Sequence, residues 1–262
     1  MAPGLSVTDL RRVLDAYEAI GRRDLDGVMA VLGENPTIQT QIETHDGVDA
    51  VGHMFAEAFA TEFVHEQQAL LIDGARVVVL SRIGLVGWSS GIQAEQEIVE
   101  VWSVDGRGSI GMRVMDREEG LRETGLEERA ARVATVYESF EVLNRGDFQG
   151  ASNLWLLHPD IELHRGETSL ETEPVRGIEE LERFMEPDVF ESQYLEPRQV
   201  IDAGDRAVIS LTFRVRAAGS GIELENRGYQ VATLRGGRVV RLEIFQDRDA
   251  ALDMLFEPST GG

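Results

Sequence analysis

The sequence predicts an α+β fold written twice in one chain, and three observations carry that prediction. Leu10, Val13, Leu14, Tyr17 and Ile20 step at helical spacing near the start and form one apolar stripe. The stripe returns 123 residues later as Val133, Val136, Tyr137, Phe140 and Leu143. After each of these helices the chain reads as shorter helices and then a run of strands, the order of an α+β domain.

The repeat extends well beyond the helix. The same offset of 123 carries Arg22 to Arg145, Asp24 to Asp147, Gly27 to Gly150, Pro36 to Pro159 and Ile38 to Ile161. An insertion of seven residues near "GETSLET" then raises the offset to 130. From there "DGVDAV" (46–51) falls on "RGIEEL" (176–181), "DGARVVV" (73–79) on "AGDRAVI" (203–209), and "SGIQAEQ" (90–96) on "SGIELEN" (220–226). One residue more aligns "DREEGL" (116–121) with "DRDAAL" (247–252). The expected organisation is a first domain over 1–122, a linker over 123–130 and a second domain over 131–258.

Each copy reads in the same order. A second short helix follows the Asp/Gly turn, capped by Asp24 or Asp147. A short strand comes next, "TIQTQIE" or "DIELHR", and a third helix begins after Gly47 or Gly177. Four strands complete the first copy: "HEQQALLI", "RVVVLSRIGLVGW", "AEQEIVEVWSV" and "IGMRVMD". Their counterparts are "YLEPRQVI", "RAVISLTFRVRA", "IELENRGYQVATL" and "RVVRLEIFQ". The charged stretch "REEGLRETGLEERA" (117–130) reads as the linker into the second long helix.

Composition narrows the function classes. With 42% apolar residues in 262 the chain has enough material for packed cores. There are no cysteines, which removes disulfides, thiolate nucleophiles and Cys-ligated metals. All 25 cations are Arg, so lysine Schiff-base chemistry is absent. The net charge of −22 splits evenly, −11 over residues 1–126 and −11 over 127–262. Such a surface repels nucleic acid and anionic membrane. No apolar run has the length of a membrane span and no signal peptide is evident, so a cytosolic, cytoplasmic protein is expected. The histidines, among them His45, His53, His158 and His164, follow no ligand spacing, so no metal and no cofactor are expected.

In both halves the residues "YEAIGRRDLDGVMAVL", "FEVLNRGDFQGASNLWLLHPDIEL" and "GGRVVRLEIFQDRDAAL", with the strand-rich order between them, resemble the nuclear-transport-factor-2-like superfamily. The likeness is to SnoaL-like polyketide cyclases and ketosteroid isomerase in particular. It implies two tandem cone-shaped domains, each a curved antiparallel sheet with about three helices around a pocket. It further implies a monomer with an internal pseudo-dimer, or a homodimer, and an apolar small-molecule ligand. The lining it suggests in copy one includes Ile38, Thr40, Ser81, Gln96, Trp102, Met112 and Val114. In copy two it includes Leu163, Phe213, Asn226, Gln230 and Ile244.

The family's acids are then testable position by position. The isomerase's base on the first strand corresponds to Thr40 and Leu163. The final-strand aspartate of the cyclases and of limonene epoxide hydrolase corresponds to Val114 and Ile244. The Arg-x-Asp pair of the hydrolase falls on Ser81/Ile83 and Leu211/Phe213. None of these can act as a base. Glu100, in "IVEVW", matches the isomerase's protonated oxyanion-hole acid, a carboxylic acid held neutral by its apolar site. Facing an apolar pocket, its pKa is expected to rise; with the strand alternation inverted it is a solvated residue instead. Tyr17 lies one residue, about 100° of helix, from the isomerase's tyrosine, and core packing is the alternative role. Glu66, matched by Glu196, resembles the Glu of tandem polyether cyclases without its Asp partner, and a surface position is its alternative.

The leading reading is a cyclase or isomerase acting by proton transfer on an apolar, oxygenated, polyketide-like substrate in the copy-one pocket, with Glu100, Tyr17 and Glu66 as candidate catalytic residues. Copy two, with Gln230 in place of Glu100, is its degenerate or binding-only partner. The alternatives are a non-catalytic small-molecule-binding or interaction protein and an epoxide-opening polyether-type cyclase or hydrolase.

Overall fold

The computed structural model describes residues 5–61, 63–86, 93–104, 110–166, 173–185 and 190–257. The chain forms two compact units, Met1–Glu127 and Glu128–Gly262. The tips of two expected features, Gly87 and Trp88 of the third strand and most of the "GETSLET" insertion, lie outside the described residues.

The first unit opens with α1 (Val7–Gly21) and α2 (Leu25–Leu32). Ser6 and Asp9 form a capping box at the start of α1, which satisfies amides that have no partner inside the helix. The turn "GRRDLDG" ends in an Asp24 cap, whose carboxylate accepts from the Gly27 amide at 3.0 Å. A Cβ on Gly27 would lie 2.4 Å from that carboxylate, and one on Gly150 would lie 2.3 Å from the Asp147 cap. The repeated Asp-x-x-Gly is therefore a steric requirement of one capped turn used twice.

Next come β1 (Thr37–Gln39), β2 (Thr44–Asp46), α3 (Gly47–Phe59), β3 (Phe63–Asp73), β4 (Arg76–Val86), β5 (Gln93–Val104), β6 (Ile110–Asp116) and α4 (Arg117–Thr124). The strands run in the order β2-β1-β6-β5-β4-β3, with β1 parallel to β6 and the remaining pairs antiparallel.

The second unit repeats this plan. It comprises α5 (Glu127–Asn144), α6 (Phe148–Leu154), β7 (Leu157–His164), β8 (Val175–Arg176), α7 (Ile178–Met185), β9 (Phe190–Asp202), β10 (Arg206–Ala217), β11 (Glu223–Arg235), β12 (Arg238–Phe245) and α8 (Arg248–Asp253). Its strand order is β9-β10-β11-β12-β7-β8, with β7 parallel to β12. Even an irregularity repeats: the register slips past Gln68 between β3 and β4 and past Arg198 between β9 and β10, a bulge in the same place. The α+β pattern and its duplication hold throughout.

Two expectations need correction. The stretch 117–130, read as a linker, is helical: α4 covers Arg117–Thr124 and α5 starts at Glu127. Leu121 and Leu126 are buried there, and apolar anchors hold a segment whose charges suggested a tether. The offset of 123 also fails at the first strand. Ile38 pairs with Met112 while Leu163 pairs with Leu242, and Ile38 faces His45 while Leu163 faces Val175. Ile38 is thus the structural equivalent of Leu163, two residues from the expected match. The extra residues follow α6, where Leu156 takes a positive φ of 51°.

Candidate functional site

In the first unit the inward side chains of β3, β4 and β5 meet α1 at one carboxylate. Glu100 Oε2 accepts hydrogen bonds from the Tyr17 hydroxyl at 2.7 Å and the Ser81 hydroxyl at 2.6 Å. His65 Nε2 lies 3.1 Å from the same oxygen. The Trp102 indole N–H donates to the Tyr17 hydroxyl at 2.7 Å. The Tyr17 ring stacks on His65 at 5.3 Å and tilts against Trp102 at 5.1 Å.

This cluster is packed shut. Trp102 and Ser81 are fully buried, Tyr17 nearly so, and only 8% of the His65 side chain and 6% of the Glu100 side chain are accessible. Burial pushes the Glu100 carboxyl up, but the charge on His65 and the hydrogen bonds from His65, Ser81 and Tyr17 outweigh it and hold the pKa below the ordinary value. The expected upward shift is reversed because Glu100 has a buried cationic partner. Burial lowers the His65 pKa, and Glu100 more than offsets this, so His65 titrates above its usual value. Burial first, then Glu100, raises the Tyr17 phenol well above its ordinary range. The site is a buried histidine–carboxylate pair in which both shifts favour the charged forms.

Other expected positions in this unit lie elsewhere. Glu66 alternates with His65 along β3 and points outward; its side chain is 64% exposed and faces Arg82 at 3.9 Å. Its counterpart Glu196 is likewise bound by Arg198 and Arg214 at 2.9 and 3.0 Å. Thr40 sits in the turn after β1, where its hydroxyl accepts from the Ile42 and Glu43 amides and is turned to its own loop. Gln96 is exposed. Met112 is buried opposite Trp102, and half-buried Val114 lies opposite Glu100.

The second unit holds the open space. A cavity of about 620 Å³ lies between its sheet and α5, α6 and α7, and all five copy-two candidates, Leu163, Phe213, Asn226, Gln230 and Ile244, line it. Its origin is visible residue by residue. Where the first unit has Tyr17, His65, Ser81 and Glu100, the second has Phe140, Leu195, Leu211 and Gln230, all of them lining the cavity. Ile98 is replaced by Gly228, Val28 by Ala151 and Met29 by Ser152, and these smaller residues leave room. Trp102 is replaced by Ala232, while Leu32 at the end of α2 is replaced by Trp155. The indole has moved from strand to helix: Tyr17 packs on Trp102, and Phe140 packs edge-on against Trp155 at 5.3 Å.

Polar network and cavity are therefore divided between the copies. Among the described residues no carboxylate and no imidazole lines the cavity, and no three acidic or histidine side chains gather to hold a metal. No helix among them is long and apolar enough to cross a membrane.

A fold with this strand order, doubled, is matched by the family model of the SnoaL-like domain at residues 13–110 and again at 136–242. The chain belongs to that family, as a tandem pair of SnoaL-like domains. Solved structures similar to it include an NTF2-like protein of unknown function from Burkholderia pseudomallei, 26% identical, covering 48% of this chain and 98% of its own (TM-score 0.39). Another is a putative SnoaL-like polyketide cyclase from Jannaschia sp., 19% identical over 48% of this chain and 94% of its own (TM-score 0.36). A third is SalBIII, an epoxide hydrolase/cyclase-like enzyme of pyran ring formation in the polyether salinomycin, 20% identical over 44% and 97% (TM-score 0.38). No match was found among curated proteins.

Proposed function

We propose that the chain is a small-molecule-binding SnoaL-like protein and that its ligand occupies the cavity of the second unit. The observation that supports this most is the division just described: among the described residues the copy with the cavity has no carboxylate and no imidazole in its wall, and the acid of the other copy is buried among Tyr17, His65, Ser81 and Trp102. A volume of about 620 Å³ with an almost wholly apolar lining suits a drug-sized apolar molecule. Titration with the fluorescent probe N-phenyl-1-naphthylamine tests the reading. Wild type binds one equivalent, and Leu211→Trp, which places an indole in the cavity, weakens binding by at least about tenfold. Absence of probe binding, or binding indifferent to Leu211→Trp, overturns it.

A second reading, proton-transfer catalysis on an apolar oxygenated substrate in the first unit, draws on the Glu100–His65–Tyr17 cluster. It requires Trp102 or His65 to swing aside to admit a substrate. If turnover of any such substrate is found, Glu100→Gln abolishes it under this reading; intact turnover removes Glu100 from the mechanism.

A further inference from the structure

We infer that the second unit's cavity selects uncharged molecules that carry a hydrogen-bonding oxygen, with the Gln230 carboxamide as the anchor; this rests on the binding role proposed above. Apart from the Trp155 indole N–H, a buried donor without a partner that can add to the same contact but offers no acceptor, every other polar group on the described wall is engaged or turned away. The Ser139 hydroxyl donates to the Val136 carbonyl at 2.6 Å, and Ser152 donates to the Gln149 carbonyl at 2.9 Å. The Gln193 amide donates to the Met185 carbonyl, and Asn226 is tied to Gln246 and to the Arg227 amide.

The two arginines on the wall do not bring charge into it. Arg227 alternates with Asn226 and Gly228 and so lies on the other face of β11. There it acts on Glu225, which pairs with Arg214 at 2.8 Å, and its strand neighbour is Thr212. Arg183 is exposed, about 200° around α7 from the inward Leu181, with its Nε on the Glu179 carbonyl at 3.2 Å. Tyr229, next to Gln230, also alternates outward, against Gln199 and Ser210.

Gln230 differs from all of these. It sits on β11 between Ile209 of β10 and Ile244 of β12, and its side chain has no hydrogen-bond partner among the described residues. A carboxamide in an apolar cone offers an NH2 donor group and a carbonyl acceptor and no countercharge. A ligand carbonyl or hydroxyl regains a hydrogen bond there, whereas a carboxylate would lose its hydration with nothing to compensate it.

Three probes with one body separate the possibilities: 2-acetylnaphthalene, 2-isopropylnaphthalene and 2-naphthoate, each competed against the fluorescent naphthylamine. The measurements are repeated in salt high enough to screen the chain's overall negative charge. The ketone is expected to bind about threefold to tenfold tighter than the hydrocarbon, and the carboxylate more than about tenfold weaker than the ketone. Gln230→Leu removes most of the ketone's advantage over the hydrocarbon, and continued binding of the hydrocarbon shows that the variant is folded; Gln230→Met serves if the leucine variant is unstable. Equal affinity for ketone and hydrocarbon, or a carboxylate as tight as the ketone in screening salt, overturns this inference and leaves the binding role standing. Failure of all three probes to bind overturns the binding role itself.

Discussion

Glu100 and Gln230 occupy the same rung of two copies of one sheet, the first between Val79 and Val114, the second between Ile209 and Ile244. One is a buried carboxylate with three donors on a single oxygen; the other is an unpartnered amide facing an open cone. The same rung thus carries an acid in the sealed copy and the matching amide in the hollow one.

The sealed copy depends on keeping the pair whole. His65→Leu leaves the Glu100 charge buried without its cation and is expected to cost about 3–5 kcal/mol. The triple change Tyr17→Phe, His65→Leu and Glu100→Gln, which installs the second copy's residues, is expected to cost less than His65→Leu alone. Urea unfolding of the two variants measures the difference, and a triple variant less stable than the single one contradicts the assignment.

Stability should carry the signature of this pair in its pH dependence. Glu100 has a lowered pKa when folded, so its contribution is present above the unfolded value of 4.5 and is lost as pH falls through the folded one. His65 has a raised pKa, so its contribution is full below the unfolded value of 6.5 and is lost as pH rises through the folded one. The pair therefore stabilises most between those two unfolded values. Unfolding free energy of wild type minus that of the triple variant, followed from acid to alkaline pH, should peak there; a flat difference shows that the pair is uncharged.

A second buried charge holds α5. Asp202 accepts from Arg129 Nε and Nη2 at 2.9 and 2.6 Å and from Arg132 Nε and Nη2 at the same two distances, with the Gly204 amide at 2.8 Å. Asp202→Asn leaves two guanidinium groups without their carboxylate and is expected to cost about 3–5 kcal/mol, close to the figure for a broken buried pair. Chemical denaturation checks it, and a loss below about 1 kcal/mol would place this cluster with ordinary surface pairs.

Gly47 and Gly177 begin the third helix of each copy with φ of 83° and 78°, and each amide donates at 2.8 Å, to Pro36 and Ile161 respectively. An alanine at either position meets the left-handed penalty of about 1–2 kcal/mol. Thermal melts of Gly47→Ala and Gly177→Ala should show losses of similar size, because the turn is the same.

Much of the fold was legible because duplication supplied a second reading of every element. Apolar stripes, Asp caps and strand alternation agreed between copies, whereas the charged helices α4 and α8, the short strands β2 and β8 and the two-residue shift before β7 escaped notice. The site was less legible. Glu66 drew attention as an acid on the second strand, yet its counterpart Glu196 is also charged, whereas the neighbouring His65 is matched by Leu195. A position that is apolar in one copy faces inward in both, and this comparison identifies His65 without coordinates. Glu100 was recognised, but its pKa direction was not, since that depends on a histidine brought 35 residues back along the chain. The cavity arises from volume changes on two elements, Ala151 and Ser152 on α6 and Gly228 on β11, none of which carries a motif.

The relocated indole also limits how the halves can be recombined. A hybrid unit joining the second copy's helices to the first copy's strands would hold Trp155 and Trp102 on the same aromatic neighbour. The reciprocal hybrid would hold Leu32 and Ala232, with neither. One is overfilled and the other has a hole, so helices and strands that follow one order in both copies are no longer interchangeable parts.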